Sequence, residues 1–343
     1  MMRHPLQALF VAALAIGSAM AQASVGLTTL PGTDGDGPIT VFYPSAGAAT
    51  AITRGPFTFK LAWQGNAIRG NGRLIVLSHG SGGSPWPQGD LAQHLVAQGF
   101  TVAMPEHAGD NFRDMGNVGP SSWKLRPIEV SRAIDAVGRD ARFAPLLDLT
   151  RVGMWGMSAG GHTALTLAGG RWSPARLRSH CETHLAQDFA ACTGAATELR
   201  GNGWDGLKTT VAMWLIRWNL RDEQWYGHTD PRIKAVVAGV PFAADFDLET
   251  LTAPPIPLGL IQAEKDMWLV PRFHSGLVIA ACQNCETLAS LAMGGHGALL
   301  SPLPPNLPPR IERLLADPPG FNRAELPALD QRVAAFFQKH LLP

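Results

Sequence analysis

The chain has 343 residues, and its 28 Lys and Arg against 27 Asp and Glu leave a formal charge of +1. So even a balance offers no electrostatic footprint for nucleic acid, and 46% hydrophobic against 16% charged residues excludes intrinsic disorder. The length suits one large α/β domain or two ordinary ones, and 37 Gly with 27 Pro, in no collagen-like period, foretell many loops.

Residues 1–23 read as a secretory signal. Arg3 and His4 form a basic start, residues 6–19 an apolar run, and Ala19-Met20-Ala21 or Ala21-Gln22-Ala23 a small-residue cleavage site. The run falls short of the roughly 20 residues that span a bilayer, and no later segment is apolar enough, so no membrane span is expected. The mature chain, residues 24–343, is expected in the periplasm or the medium as a single α/β domain. No Cys precedes Cys181, so no lipid is expected on a processed N-terminal Cys. In an oxidising compartment four cysteines imply disulfides, with three pairings possible. Cys181 with Cys192 and Cys282 with Cys285 close the shortest loops. Cys282-Gln283-Asn284-Cys285 also has the spacing of a redox or zinc half-site, but no second CxxC exists and the motif falls in a helix-like run, which favours a structural disulfide.

Residues 39–43 (ITVFY) and 57–63 (FTFKLAW) predict strands at a sheet edge. Residues 73–78 (RLIVLS) are continuously apolar, as in a strand buried on both faces. A helix over 92–98, a strand over 100–104, a helix over 127–137 and a strand over 151–155 follow, then a Gly-rich turn and a helix to about residue 168. Further on come strands at 233–240 and 257–262, a helix over 271–281, a strand at 288–293 and an amphipathic helix over 324–341. Strands alternating with helices imply an α/β fold with a mostly parallel sheet. Residues 171–231 break this rhythm and are too long for an ordinary connection. They carry Trp172, Trp204, Trp214, Trp218 and Trp225, and predict a helical cap over the sheet's C-terminal edge. Residues 301–309 are Pro-rich and read as an extended connector.

Gly156-Met157-Ser158-Ala159-Gly160 stands directly between a strand and a helix. A sharp strand-to-helix turn thrusts its middle residue outward, and flanking glycines let the backbones pass. Ser158 is therefore the candidate nucleophile, at a helix N-terminus that favours developing negative charge. Ser78-His79-Gly80-Ser81-Gly82-Gly83 ends the RLIVLS strand, and such a turn can aim backbone N–H groups into a site. Ser81 and Ala159 are the candidate oxyanion donors; no G-K-[ST] follows to make a phosphate loop. A serine needs a base. His296, in a Gly-rich turn late in the chain, is best placed, with His274 (read as a surface helix residue) and His228 (in the insertion) as alternatives. The base needs an acid; Asp266 follows a strand directly, with Asp245 and Asp247 as rivals. His107, at another strand end, is a candidate pocket residue or a structural histidine. Trp214 and Trp218 are candidate pocket walls. HExxH and zinc-spaced clusters are absent, Asp34-Gly35-Asp36-Gly37 lacks the rest of a calcium loop, and neither metal nor cofactor is expected.

With YPS near the start, LSHGSGG, PEHAGDN, WGMSAGG, the strand-end Asp266 and GGHG around His296, the chain resembles the α/β-hydrolase fold. Within it, the motifs look most like bacterial predicted dienelactone hydrolases, relatives of the platelet-activating-factor acetylhydrolase-like esterases. The resemblance covers nearly all of the mature chain except residues 171–231. True dienelactone hydrolases carry a cysteine nucleophile where this elbow holds Ser158. The expectation is a serine esterase acting through an acyl-enzyme on a small-molecule or polymeric ester with apolar bulk: an aryl or medium acyl ester, a short phospholipid, or a polyester segment. An amidase or peptidase with the same triad, or a non-catalytic binding protein on the same fold, are the alternatives.

Overall fold

The computed structural model describes residues 24–194 and 196–343; the expected leader lies outside the described residues. Apolar runs between Gly- and Pro-rich turns form the strands β1 (Ser24–Leu30), β2 (Ile39–Ser45), β3 (Thr50–Arg54), β4 (Phe57–Trp63), β5 (Leu74–Ser78), β6 (Thr101–Pro105), β7 (Val152–Met157), β8 (Arg171–Trp172), β9 (Ile233–Gly239), β10 (Phe246–Asp247), β11 (Leu258–Ala263) and β12 (Glu286–Leu291). Between them run α1 (Gly89–Ala97), α2 (Pro120–Arg139), α3 (Ala159–Leu167), α4 (Pro174–His184), α5 (Phe189–Thr193), α6 (Asp205–Asn219), α7 (Ser275–Ala281), α8 (Pro309–Leu315) and α9 (Leu326–Leu341).

Ten strands join in the order β12-β11-β9-β7-β5-β6-β2-β1-β4-β3. From β12 to β6 every neighbouring pair is parallel, whereas β2 meets both β6 and β1 antiparallel. Alternation along the strands splits the core into two layers. Leu74, Val76, Val152, Met154, Val236 and Ala238 face α2, α3 and the insertion. Ile75, Leu77, Trp155, Met157, Ala235 and Val237 face α1 and α9. Each fully buried aliphatic side chain stabilises this sandwich by about 1.5–3 kcal/mol. All six parallel strands run the same way, so their C-terminal ends, and the turns that follow, collect along one rim.

Several details depart from the sequence expectations. Strand β2 lies inside the sheet because β1, which carries no clear strand signal, pairs with it along its whole length. Pro44 falls beyond the last β6 partner of β2, Phe42 opposite Val102, so its missing N–H removes no bond on that side. Helix α2 starts at Pro120 and contains Pro127 in its interior; its buried positions Ser122, Trp123, Arg126, Val130, Ala133, Ile134 and Val137 keep helical spacing on both sides of that proline, and packing overrides the local break. Helix α8 forms inside the region expected to be extended. Both local cysteine pairs are bonded, Cys181–Cys192 and Cys282–Cys285, but the second occupies the turn after α7 instead of a helix. No helix among the described residues is long and apolar enough to cross a membrane.

On α9, Asp330 faces a small apolar recess with Leu91, Trp155 and Leu329. Burial, with repulsion from Asp90, pushes its carboxyl up from the usual 3.8 to about 7. The folded chain therefore holds this proton more tightly than the unfolded one. The resulting stabilisation is complete below about pH 4 and is lost as pH rises through about 7. Relative to Asp330→Asn, the wild type should lose up to roughly 1.4 kcal/mol per pH unit across that window. Urea unfolding of both proteins from pH 4 to 8 checks it; parallel curves would remove the assigned burial cost.

Candidate active site

The turn between β7 and α3 is built as its glycines require. Ser158 adopts φ 59° and ψ −119°, a sparsely populated conformation costing on the order of 1–3 kcal/mol. Its N–H donates to the Gly239 carbonyl at 3.1 Å, and its own carbonyl accepts from His162 (3.0 Å) and Phe242 (3.2 Å). A Cβ at Gly156 would lie 1.9 Å from the Gly160 carbonyl oxygen, and one at Gly160 would lie 1.9 Å from that of Ser78. No side chain fits at either position.

The rim assembles three predicted residues. The Ser158 hydroxyl lies 3.0 Å from His296 Nε2, and His296 Nδ1 lies 2.7 Å from Asp266 Oδ2. With the carboxylate accepting from Nδ1–H, Nε2 is left as acceptor for the serine hydroxyl. The second carboxylate oxygen of Asp266 accepts the backbone N–H groups of Trp268 (2.9 Å) and Leu269 (2.8 Å), which fixes the acid. The Trp268 ring packs on the imidazole at 5.0 Å between centroids. Asp266 and His296 are buried while Ser158 keeps partial exposure.

Opposite the nucleophile, the loop after β5 passes so close that a Cβ on Gly80 would sit 3.3 Å from that of Ser158. The backbone N–H groups of Ser81 and Ala159 have no hydrogen-bond partner among the described residues. A buried ion pair holds this loop from behind. Asp110 accepts the Ser81 hydroxyl (2.6 Å) and the Gly82 N–H (2.9 Å) on one oxygen and Arg126 (2.9 Å) on the other. Arg126 also donates to the His79 carbonyl at 2.6 Å. Both side chains are 0% exposed. Burial opposes the Asp110 charge, but Arg126 and the two loop donors outweigh it and hold the carboxyl below its usual range.

His107 is a correction. It is sealed from the cavity, with Nε2 2.6 Å from the Ser78 hydroxyl and Nδ1 2.5 Å from Glu129. Ser78, His107 and Glu129 thus repeat the serine–imidazole–carboxylate order out of reach of any ligand. Burial, then the Arg126 charge, pushes His107 well below the usual imidazole range, so it stays neutral, and burial raises Glu129. His274 is likewise buried, its Nδ1 accepting the Ala243 N–H (3.0 Å) and its Nε2 meeting Asp188 (3.0 Å). Of the other candidates, His228 bonds Ser131, Asp245 bonds His162 and Asp247 pairs with Arg171; none reaches Ser158.

A cavity of about 360 Å³ opens onto Ser158 and His296. Its apolar wall comes from Phe57, Trp86, Phe112, Trp268, Ile311 and Leu315, not from the insertion. Trp214 and Trp218 correct the second expectation: they stack on each other at 6.2 Å on the solvent face of α6, 62% and 56% exposed. That helix is apolar on two sides, with Ala212, Ile216 and Leu220 turned inward and Leu207, Val211, Trp214 and Trp218 outward. Asp110 and Arg126 escaped notice although Asp110 stands in PEHAGDN. The available signal was Arg126 and Glu129 at core-facing spacing within an otherwise apolar helix stripe, where charges persist only when paired. The sequence matches no family model and no curated protein.

Proposed function

We propose that the chain is an exported serine esterase with an α/β-hydrolase fold and the insertion 171–231 set into it. Ser158 attacks the ester carbonyl as His296 Nε2 takes its proton. The tetrahedral oxyanion is received by the N–H groups of Ser81 and Ala159, each donor of this kind being worth roughly 2.7–4 kcal/mol of barrier. His296 then hands the proton to the departing alcohol, leaving an acyl-enzyme on Ser158. A water activated by the same imidazole releases the acid, while Asp266 stays ionised and steadies the imidazolium. The observation that carries this reading is the continuous relay from Ser158 through His296 to Asp266, at 3.0 and 2.7 Å, on the floor of an apolar cavity. Export is supported by the leader pattern and by the two bonded cysteine pairs, since such bonds persist in oxidising compartments.

The reading is tested with a fluorophosphonate probe and a set of p-nitrophenyl esters of graded acyl length. Wild-type protein should be labelled at Ser158 and should hydrolyse the esters faster than the matching anilides, whereas Ser158→Ala should take no label. An unreactive Ser158 in folded protein would leave a binding module, and faster anilide turnover an amidase.

A further inference from the structure

Apart from the catalytic groups, the cavity is apolar except for Gln88, Ser84 and Arg54, and no Asp or Glu lines it among the described residues. Gln88 ends the short 3-10 turn Trp86–Gln88 that leads into α1. It is 3% exposed, and its side-chain amide has no hydrogen-bond partner among the described residues. The Ser84 hydroxyl, on a residue 8% exposed, has none either. Buried polar groups are almost always paired, and leaving one unpaired is costly. An amide kept in an apolar wall with nothing from its own chain to bond is therefore placed for a ligand.

Resting on the esterase reading, we propose that the cavity selects an ester whose apolar body carries a second carbonyl, bonded by the Gln88 amide with help from the Ser84 hydroxyl. The substrate class is a diester, one carbonyl at Ser158 and the other against Gln88. Both groups can donate and no carboxylate competes, so the matching ligand atom is an acceptor. A neutral acceptor is favoured because a carboxylate buried against a neutral amide would lose its hydration without a counter-charge. Sites built to bond a polar substrate group discriminate strongly against analogues that lack it, since the protein group is then left unpaired.

The experiment compares two substrates with the same six-carbon acyl chain: p-nitrophenyl hexanoate and the mixed p-nitrophenyl methyl diester of hexanedioic acid. Wild-type kcat/KM should favour the diester by about 10- to 100-fold, and in Gln88→Leu that ratio should collapse toward one. Equal use of both esters by the wild type would overturn the proposal whatever the variant does, while leaving the esterase reading intact. So would a ratio unchanged in Gln88→Leu. Preference for the free half-acid, lost in Arg54→Met and kept in Gln88→Leu, would also overturn it, by giving recognition to the guanidinium. No turnover of either ester together with an unlabelled Ser158 would instead remove the esterase reading itself.

Discussion

Ser158→Ala and His296→Ala are each expected to lower kcat on a p-nitrophenyl ester by about 10⁵- to 10⁶-fold, and the double variant should be no slower than either. The reason is that nucleophile and base act as one unit. A hydroxyl without the imidazole 3.0 Å away keeps its proton, and an imidazole without the hydroxyl has nothing to activate. Asp266→Asn should cost about 10⁴-fold, because an amide facing Nδ1 no longer enforces the tautomer that leaves Nε2 free to accept. Asp245→Asn is the control. That carboxylate bonds His162, 83 positions away in sequence on the far side of the elbow, and its loss should appear in the melting temperature and not in kcat. Steady-state kinetics with active-site titration decides the matter. Additive losses in the double variant, or a larger kcat loss at Asp245 than at Asp266, would dismantle the relay.

Arg126→Met is expected to destabilise the fold by roughly 3–5 kcal/mol, because it strands the Asp110 carboxylate in a dry interior. Urea unfolding would show this directly. The same change should lower kcat by about 10²- to 10³-fold with little effect on KM, since a loosened loop no longer aims the Ser81 N–H at an oxyanion that exists only in the transition state. Replacing both partners, as Arg126→Met with Asp110→Leu, should recover part of the stability because no charge is then left alone. It should recover none of the activity, because the Ser81 hydroxyl and Gly82 N–H lose their anchor on Asp110. A single variant that kept wild-type stability would show that the pair is not sealed as described.

The catalytic rim was legible in the sequence because its demands are local. Gly156 and Gly160 are required by approaches of 1.9 Å, and such constraints leave a short, ordered signature around Ser158. Asp266 and His296 could be named because parallel strands deliver successive turns to the same edge. The pocket wall could not be named, because Phe57, Phe112 and Ile311 converge from segments far apart in the chain, and nothing in their immediate neighbours marks them as facing a ligand. The tryptophans of α6 misled for a related reason. Composition shows that a helix is rich in large apolar side chains, but not which of its two apolar faces the rest of the chain covers. His107 and His274 carry the same lesson in reverse. A histidine at a strand end or on a helix looks available until its two nitrogens are found already bonded to buried partners.

Strand β12 closes one end of the sheet, with β11 as its single neighbour and most of its residues only half-covered. His296 hangs from the turn that follows it. Fraying of this margin requires far less free energy than melting the centre, yet it carries the imidazole away from the serine. Shelf life, tolerance of mild heat and sensitivity to low denaturant should therefore be governed by one peripheral ribbon, with enzymatic competence fading while spectroscopic signals from the interior still report an intact molecule.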